Sequence, residues 1–262
     1  MTGLPLSQKL AFLLLFVLLL LMAFSGFLAC GGSGGGGSSG PIGPVDPGGF
    51  TGSGNVVEES RSVSGFSSVD QAGEGRLYIE QTGSETLLVR ADDNLLQHIQ
   101  TNVVGDELEI RTAPGVEINP SQAIEYFLTV DDLMAAELTG VGRLECTDLS
   151  TNRLEVDFSG VGSVLFSGLD AEYLDLSMTG VGDVQFAGRV TEQMVRVSGV
   201  GDYKAQGLSS LLATVEINGS QSATVRVTNR LVVRITGSGC VYYIGNPIID
   251  STITGSGCVE KL

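Results

Sequence analysis

The sequence contains no tryptophan, one histidine and four cysteines, and aromatic residues make up only 6% of its 262 positions. Basic side chains are also scarce, with 14 Lys and Arg against 30 Asp and Glu, a formal net charge of -16. Each shortage excludes something. A chain without a basic surface cannot neutralise phosphates, which removes nucleic acid from the partners. The same deficit disfavours electrostatic docking on anionic lipid headgroups. The single histidine, His98, has no Cys or carboxylate at metal-ligand spacing and reads as a surface residue. No catalytic constellation emerges, and no cofactor or metal is implied.

Glycine is abundant, at 37 residues. Much of it falls in one phrase that returns seven times: Thr139-Gly140-Val141-Gly142, Ser159-Gly160-Val161-Gly162, Thr179-Gly180-Val181-Gly182, Ser198-Gly199-Val200-Gly201, Asn218-Gly219-Ser220, Thr236-Gly237-Ser238-Gly239 and Thr254-Gly255-Ser256-Gly257. The leading glycines step by 20, 20, 19, 20, 18 and 18 residues. A period this regular indicates stacked repeats. Two residues before each leading Gly stand Leu138, Phe158, Met178, Val197, Ile217, Ile235 and Ile253. Four after it stand Leu144, Val164, Val184, Tyr203, Ala223, Val241 and Val259. The residues between are polar or mixed. Each unit therefore has two short strands with one inward face, and the phrase is the corner between them. Glycine supplies the close backbone approach or positive φ that such a corner needs.

Coils of 18–20 residues with in-register parallel strands make a β-helix, an all-β solenoid with a rise of ~4.8 Å per coil; its domain is expected over 56–262, with the regular repeats at 134–262. The Ser, Thr or Asn before each corner is expected to form a hydrogen-bonded ladder from coil to coil. Cys240 and Cys258 directly follow two successive phrases. Stacking would bring their Cα atoms to ~5 Å, within disulfide range, so a bridge is expected. Cys146 falls at an inward position and reads as a small buried hydrophobe.

Other meanings of the glycines fail. A dinucleotide fingerprint needs a third Gly, a following helix and a later acidic residue, whereas strands follow here. Calcium nonapeptide repeats are far shorter and carry Asp in every turn. Only Asp183 and Asp202 follow the phrase, and they read as solvated surface. Arg143, Asp183, Asp202, Lys204 and Tyr242 share the face after the corner, but they are mixed in type and spread over several coils. With no long loops to wall a cleft, the chain reads as a non-enzyme.

Upstream, residues 56–133 read as short strands joined by turns, including Arg76–Glu80, Glu85–Arg90, Asp106–Arg111 and Tyr126–Val130. Asp92-Asp93-Asn94 offers a helix N-cap, and Leu95, Leu96 and Ile99 are spaced for a short one-sided helix. Residues 31–54 are mostly Gly, Ser and Pro, so 30–55 is expected to be a flexible tether. Residues 1–29 carry one side-chain charge, Lys9, and are apolar from Leu10 to Ala29. This pattern describes an export signal; a retained membrane helix is the competing reading. Phe27-Leu28-Ala29-Cys30 resembles the lipobox of bacterial lipoproteins, although Phe27 and Leu28 depart from the preferred residues. That resemblance implies cleavage before Cys30 and acyl chains such as palmitate on its diacylglycerol. Gly31 resembles the residue that sorts such proteins to the outer membrane.

Taken together, the Gly-x-Gly repeats, Asp92-Asp93-Asn94-Leu95-Leu96 and Asp106-Glu107-Leu108-Glu109-Ile110 resemble the head GIN domain family, labelled putative auto-transporter adhesin. The resemblance covers 66–262 and implies a right-handed parallel β-helix in a bacterial cell envelope. The expected protein is an exported, lipid-anchored, non-catalytic surface lipoprotein whose head binds or adheres. Its expected partners are the membrane, through Cys30, and a polysaccharide or surface protein. The alternatives are a polysaccharide-active β-helix enzyme and a self-associating structural protein of the envelope.

Overall fold

The computed structural model describes residues 49–262. The export segment, Cys30 and most of the tether lie outside the described residues. The chain enters through β1 (Phe50–Thr51) and β2 (Val56–Arg61). It then reaches β3 (Ser68–Gln71) and β4 (Glu74–Gln81), the two strands of a first coil. An excursion follows: β5 (Thr86–Asp92), a 3-10 turn at Leu96–His98, β6 (Ile99–Val104), β7 (Glu107–Thr112), β8 (Ile118–Asn119) and β9 (Glu125–Val130). The solenoid resumes with β10 (Ala135–Leu138) and β11 (Val141–Thr147), then winds through β12 (Ser150–Phe158), β13 (Val161–Met178), β14 (Val181–Val197), β15 (Tyr203–Gly219) and β16 (Ser222–Gly237). It ends with β17 (Cys240–Ile244), β18 (Ile248–Gly255) and β19 (Cys258–Lys261). From β10 onward every pairing is parallel, in a solenoid of about six turns.

Alternation explains the winding. Phe158, Met178, Val197, Ile217 and Ile235 form one inward column, and Leu144, Val164, Val184, Tyr203 and Ala223 another; all are buried. Each coil covers the apolar residues of the next, and a fully buried side chain of this size contributes about 1.5–3 kcal/mol over an exposed one. Phe166 and Phe186 stack at 4.9 Å between ring centroids. One polar network lies inside: buried Tyr203 donates to Gln193 Oε1 at 2.8 Å, and Gln193 Nε2 donates to Ser210 Oγ at 2.8 Å. It sits beside the register shift between Ala205 and Ser209, where the coil length changes. Pairing these groups with one another avoids the cost of burying them unsatisfied.

The corners are built on backbone. Val161 N donates to Gly140 O, Val181 N to Gly160 O and Val200 N to Gly180 O, at 2.8–3.0 Å. The phrase is thus a column of peptide groups bonded along the solenoid. A Cβ on Gly180 would fall on the carbonyl of Gly160, and one on Gly182, whose φ is +140°, on the carbonyl of Gly162. From Asn218 on, the positive φ moves to the first glycine of the phrase, as at Gly237 (+124°). The expected hydroxyl ladder is absent: among the described residues only Thr139 of that column has a side-chain hydrogen bond, to Asp70 at 2.8 Å. These side chains are exposed, while the backbone carries the inter-coil bonds.

Two expectations for the N-terminal part need correction. The regular repeat starts earlier than 134. Ala72-Gly73-Glu74-Gly75 stands in register with the first phrase, Glu74 against Val141 and Gly75 against Gly142. The helix expected after Asp92-Asp93-Asn94 is only the 3-10 turn, with no side-chain cap. Those three residues instead hold residues 51–55, the end of the expected tether. Asp92, buried, accepts from Gly54 N at 2.7 Å and from Ser121 N and Oγ at 2.8 and 2.6 Å. Asp93 accepts from Ser53 Oγ and Asn55 Nδ2, and Asn94 donates to Thr51 O. With β1 paired to β8 and the Phe50 ring 4.1 Å from that of His98, residues 50–55 form a strap on the domain. At the N-terminal end β7 and β9 pair parallel with β3 and β4 as a further coil, and the strap, β2, β5 and β6 finish it with antiparallel pairings.

Candidate functional site

Each coil has a second corner, on the far side from the glycine column. There, Ser150, Asp170 and Arg189 are register partners, as are Thr151, Ala171 and Val190. Residues 150–152, 170–172 and 189–191 line an open groove of about 600 Å³ across successive coils, closed at one end by Gln81, Asp131 and Asp132. Gln81 ties that end together: its Nε2 donates to Asp131 O and Ser150 O, and its Oε1 accepts from Ser150 N at 2.9 Å. Arg189 grips Asp170 through both Nε and Nη2, and this hydrogen-bonded pair holds the Asp170 carboxyl below its ordinary range. Asn152, Glu172 and Thr191 are exposed, and among the described residues no hydrogen bond engages their side chains. The groove therefore offers an amide, a carboxylate and a hydroxyl in a row, one per coil. Such a surface can hydrogen-bond a polar ligand, and its acidic balance repels an anionic one.

The residues of the face after the glycine corner do not form a reaction centre. Asp183 and Lys204 form an ion pair, and Lys204 is the main reason that the Asp183 carboxyl is held low. Asp183 Oδ1 also accepts from Asp202 N at 3.0 Å, and Asp202 Oδ1 accepts from Ser222 N at 3.1 Å. Both carboxylates are thus stitches between coils, and Asp183, 48% exposed at its side chain, is at the same time the surface group expected. Arg143 pairs instead with Glu145, and Tyr242 lies on β17, in register with Glu260. An acid held ionised by its partner is a poor proton donor. Among the described residues no group of three or more His, Cys, Asp or Glu is placed to hold a metal ion.

Cys240 and Cys258 are register partners on β17 and β19, 4.6 Å apart at Cα, and are joined by a disulfide. Cys146 is buried, which pushes its thiol up to about 12 and leaves it inert. On the outer face near the N-terminal end, Asp70, Glu107 and Glu137 are raised chiefly by burial, against the hydrogen bonds of Thr139 at Asp70 and with the Asp70 charge adding to the rise at Glu107 and Glu137; Glu74 is raised by burial. Val141, Val161, Val181 and Val200 stack as an exposed ridge beside the glycine column.

The groove escapes sequence reading because its residues are not alike from coil to coil. The available signal was positional: Ser-Thr-Asn, Asp-Ala-Glu and Arg-Val-Thr each sit about ten residues after a phrase.

The family model "Putative auto-transporter adhesin, head GIN domain" matches residues 65–247. Among solved structures, the chain is similar to a putative adhesin from Bacteroides fragilis, with a TM-score of 0.78 and 24% identity over 82% of this chain and 100% of that one. It is also similar to a putative lipid binding protein and a putative adhesin, both from Parabacteroides distasonis. Their TM-scores are 0.71 and 0.64 at 22% and 20% identity, each over 81% of this chain and 99% of the other. These likenesses concern the fold. No curated protein matches.

Proposed function

This chain belongs to the head GIN domain family of putative auto-transporter adhesins, and from that premise we propose that it is a non-catalytic binding head of the cell surface. In this reading the head is exported, carried on acyl chains at Cys30 and held off the outer membrane by the Gly/Ser/Pro segment from residue 31 to the strap. The polar groove is its contact surface, and the ligand is hydroxyl-rich and not anionic, a polysaccharide or a glycan on a surface protein. The observation that carries this is the row Asn152, Glu172 and Thr191, three free hydrogen-bonding side chains of different kinds presented along one groove. The absence of a proton-transfer pair in that row favours binding over turnover.

A glycan array probed with the protein and with its Asn152→Ala/Glu172→Ala variant tests the groove. Binding to neutral glycans that the variant loses is the expected result; no binding, or equal binding by the variant, refutes the site. Incorporation of labelled palmitate that disappears in Cys30→Ser tests the anchor separately.

A further inference from the structure

The two ends of the solenoid are finished differently. The N-terminal end carries the antiparallel strands and the strap, whereas no strand among the described residues pairs with the outer edge of β18 or β19. Inward residues of the preceding coil, Leu231, Val233 and Ile235, are buried, but their register partners Ile249 and Ile253 are 38% and 40% exposed, and neighbouring Ile248 is 76% exposed. We infer that β18 is a self-association edge, at which a second copy of this chain pairs antiparallel about a two-fold axis through Ser251.

Three observations choose this strand and this partner. First, β19 is protected and β18 is not. β19 ends in Glu260 and Lys261, the kind of charge that blocks edge pairing, whereas the only charge on β18 is Asp250, which faces Arg230 at 3.3 Å on its own chain. Second, the free edge is self-complementary. In a parallel ladder alternate residues turn both N–H and C=O to the same neighbour. Ser256 N donates inward to Gly237 O, so the even-numbered residues face β16 and 249, 251 and 253 hold the unpaired groups. Antiparallel pairing centred on Ser251 sets Ile249 against Ile253 of the second copy, Ser251 against Ser251, and Asp250 against Thr252. About six backbone hydrogen bonds would form, isoleucine would meet isoleucine, and no like charges would oppose. Third, the disulfide Cys240–Cys258 fastens the last coil to its neighbour, so the edge is presented in order without a covering strand. An isologous contact of this kind closes as a dimer.

The test uses the full chain in detergent micelles at high micelle-to-protein ratio. Light scattering is expected to give a protein mass that doubles with concentration. Ser251→Lys, which places two ammonium groups at the axis on an exposed side chain, is expected to lose the dimer while melting like the wild type at concentrations where both are monomeric. Ser251→Cys is expected to form a covalent dimer on mild oxidation, and Asn152→Cys, on the groove, is not. A wild-type chain that stays monomeric, a dimer that survives Ser251→Lys, or equal cross-linking at positions 251 and 152 overturns the inference. If Ser251→Lys fails to fold, the cross-linking comparison decides alone.

Discussion

Substitution at the second glycine of a phrase separates the two demands that the corner makes. At Gly182, alanine would have to hold φ near +140°, a conformation that costs a residue with a Cβ about 1–3 kcal/mol. Its methyl would also fall on Gly162 O and lie 3.2 Å from Phe158 Cζ. The column cannot yield locally, because Gly162 in turn lies over Gly142. Relieving the overlap means prising two coils apart, a further cost of about 1–3 kcal/mol. The expected loss for Gly182→Ala is therefore about 2–6 kcal/mol, a large share of the ~5–15 kcal/mol that holds a typical domain. Gly180→Ala meets the same kind of obstacle at Gly160 O but needs no positive φ, so its loss should be about 1–3 kcal/mol. Val181→Ala, between them and exposed, should cost within about 0.5 kcal/mol. Urea titrations followed by circular dichroism give the three values from the midpoints, provided the slopes agree. If Gly182→Ala loses no more than Val181→Ala, the corner does not depend on the bare backbone column and the reasoning fails.

Asp92→Ala leaves three donors without their acceptor; it should cost about 1–3 kcal/mol and open residues 49–55 to limited proteolysis that the wild type resists. Cys258→Ser removes a bridge spanning 18 residues and should cost about 3 kcal/mol, with faster hydrogen exchange confined to 248–262; an unchanged exchange pattern would contradict the clip. Stability should also peak in mild acid. Asp70, Glu74, Glu107 and Glu137 have raised pKa values in the fold, so they bind protons more readily there than in the unfolded chain, and stability falls as pH rises through those values. Asp92, Asp170 and Asp183 are lowered, and the stability they add is present above about 3.9 and lost as pH falls through their folded values. Melting temperature should thus rise as pH is lowered from neutral through the raised carboxylates and drop again as the lowered ones take up protons; a steady rise up to pH 8 would refute this assignment.

Much of the solenoid was legible because its units repeat the same physical problem. An inward Leu, Phe, Met, Val or Ile two residues before a glycine can be aligned by eye, and the cysteine bridge follows from that alignment. The coil at Gly73–Gly75 was hidden because Ala72 replaces the hydroxyl residue and the excursion through β5–β9 breaks the period. Asp92-Asp93-Asn94 misled for a definite reason. Short side chains that accept from backbone N–H groups cap helices, but they serve equally to hold a passing strand, and sequence does not say which N–H arrives. Asp183 and Asp202 have the same ambiguity: only the coil stacking shows that each carboxylate meets the next coil's amide. The groove was not legible because its row of unlike residues carries no period in chemistry, only in place.

The register between β4 and β11 has a consequence for how such a protein changes size. After Gln81 the chain makes five strands on the other side of β3 and β4, two of which, β7 and β9, pair parallel with them, and it returns at Ala135 with Gly142 stacked on Gly75, no residue out of step. Each coil is bonded to its immediate neighbours, so the stack keeps no memory of how much sequence separates them. Whole coils can therefore be removed or duplicated like courses of brick, and the ends stay as they were. Excision of residues 160–179 should leave Ser159 followed by Gly180, an intact phrase, in a shorter rod. The length of the solenoid is then a quantity that changes in repeat number can tune without touching either end.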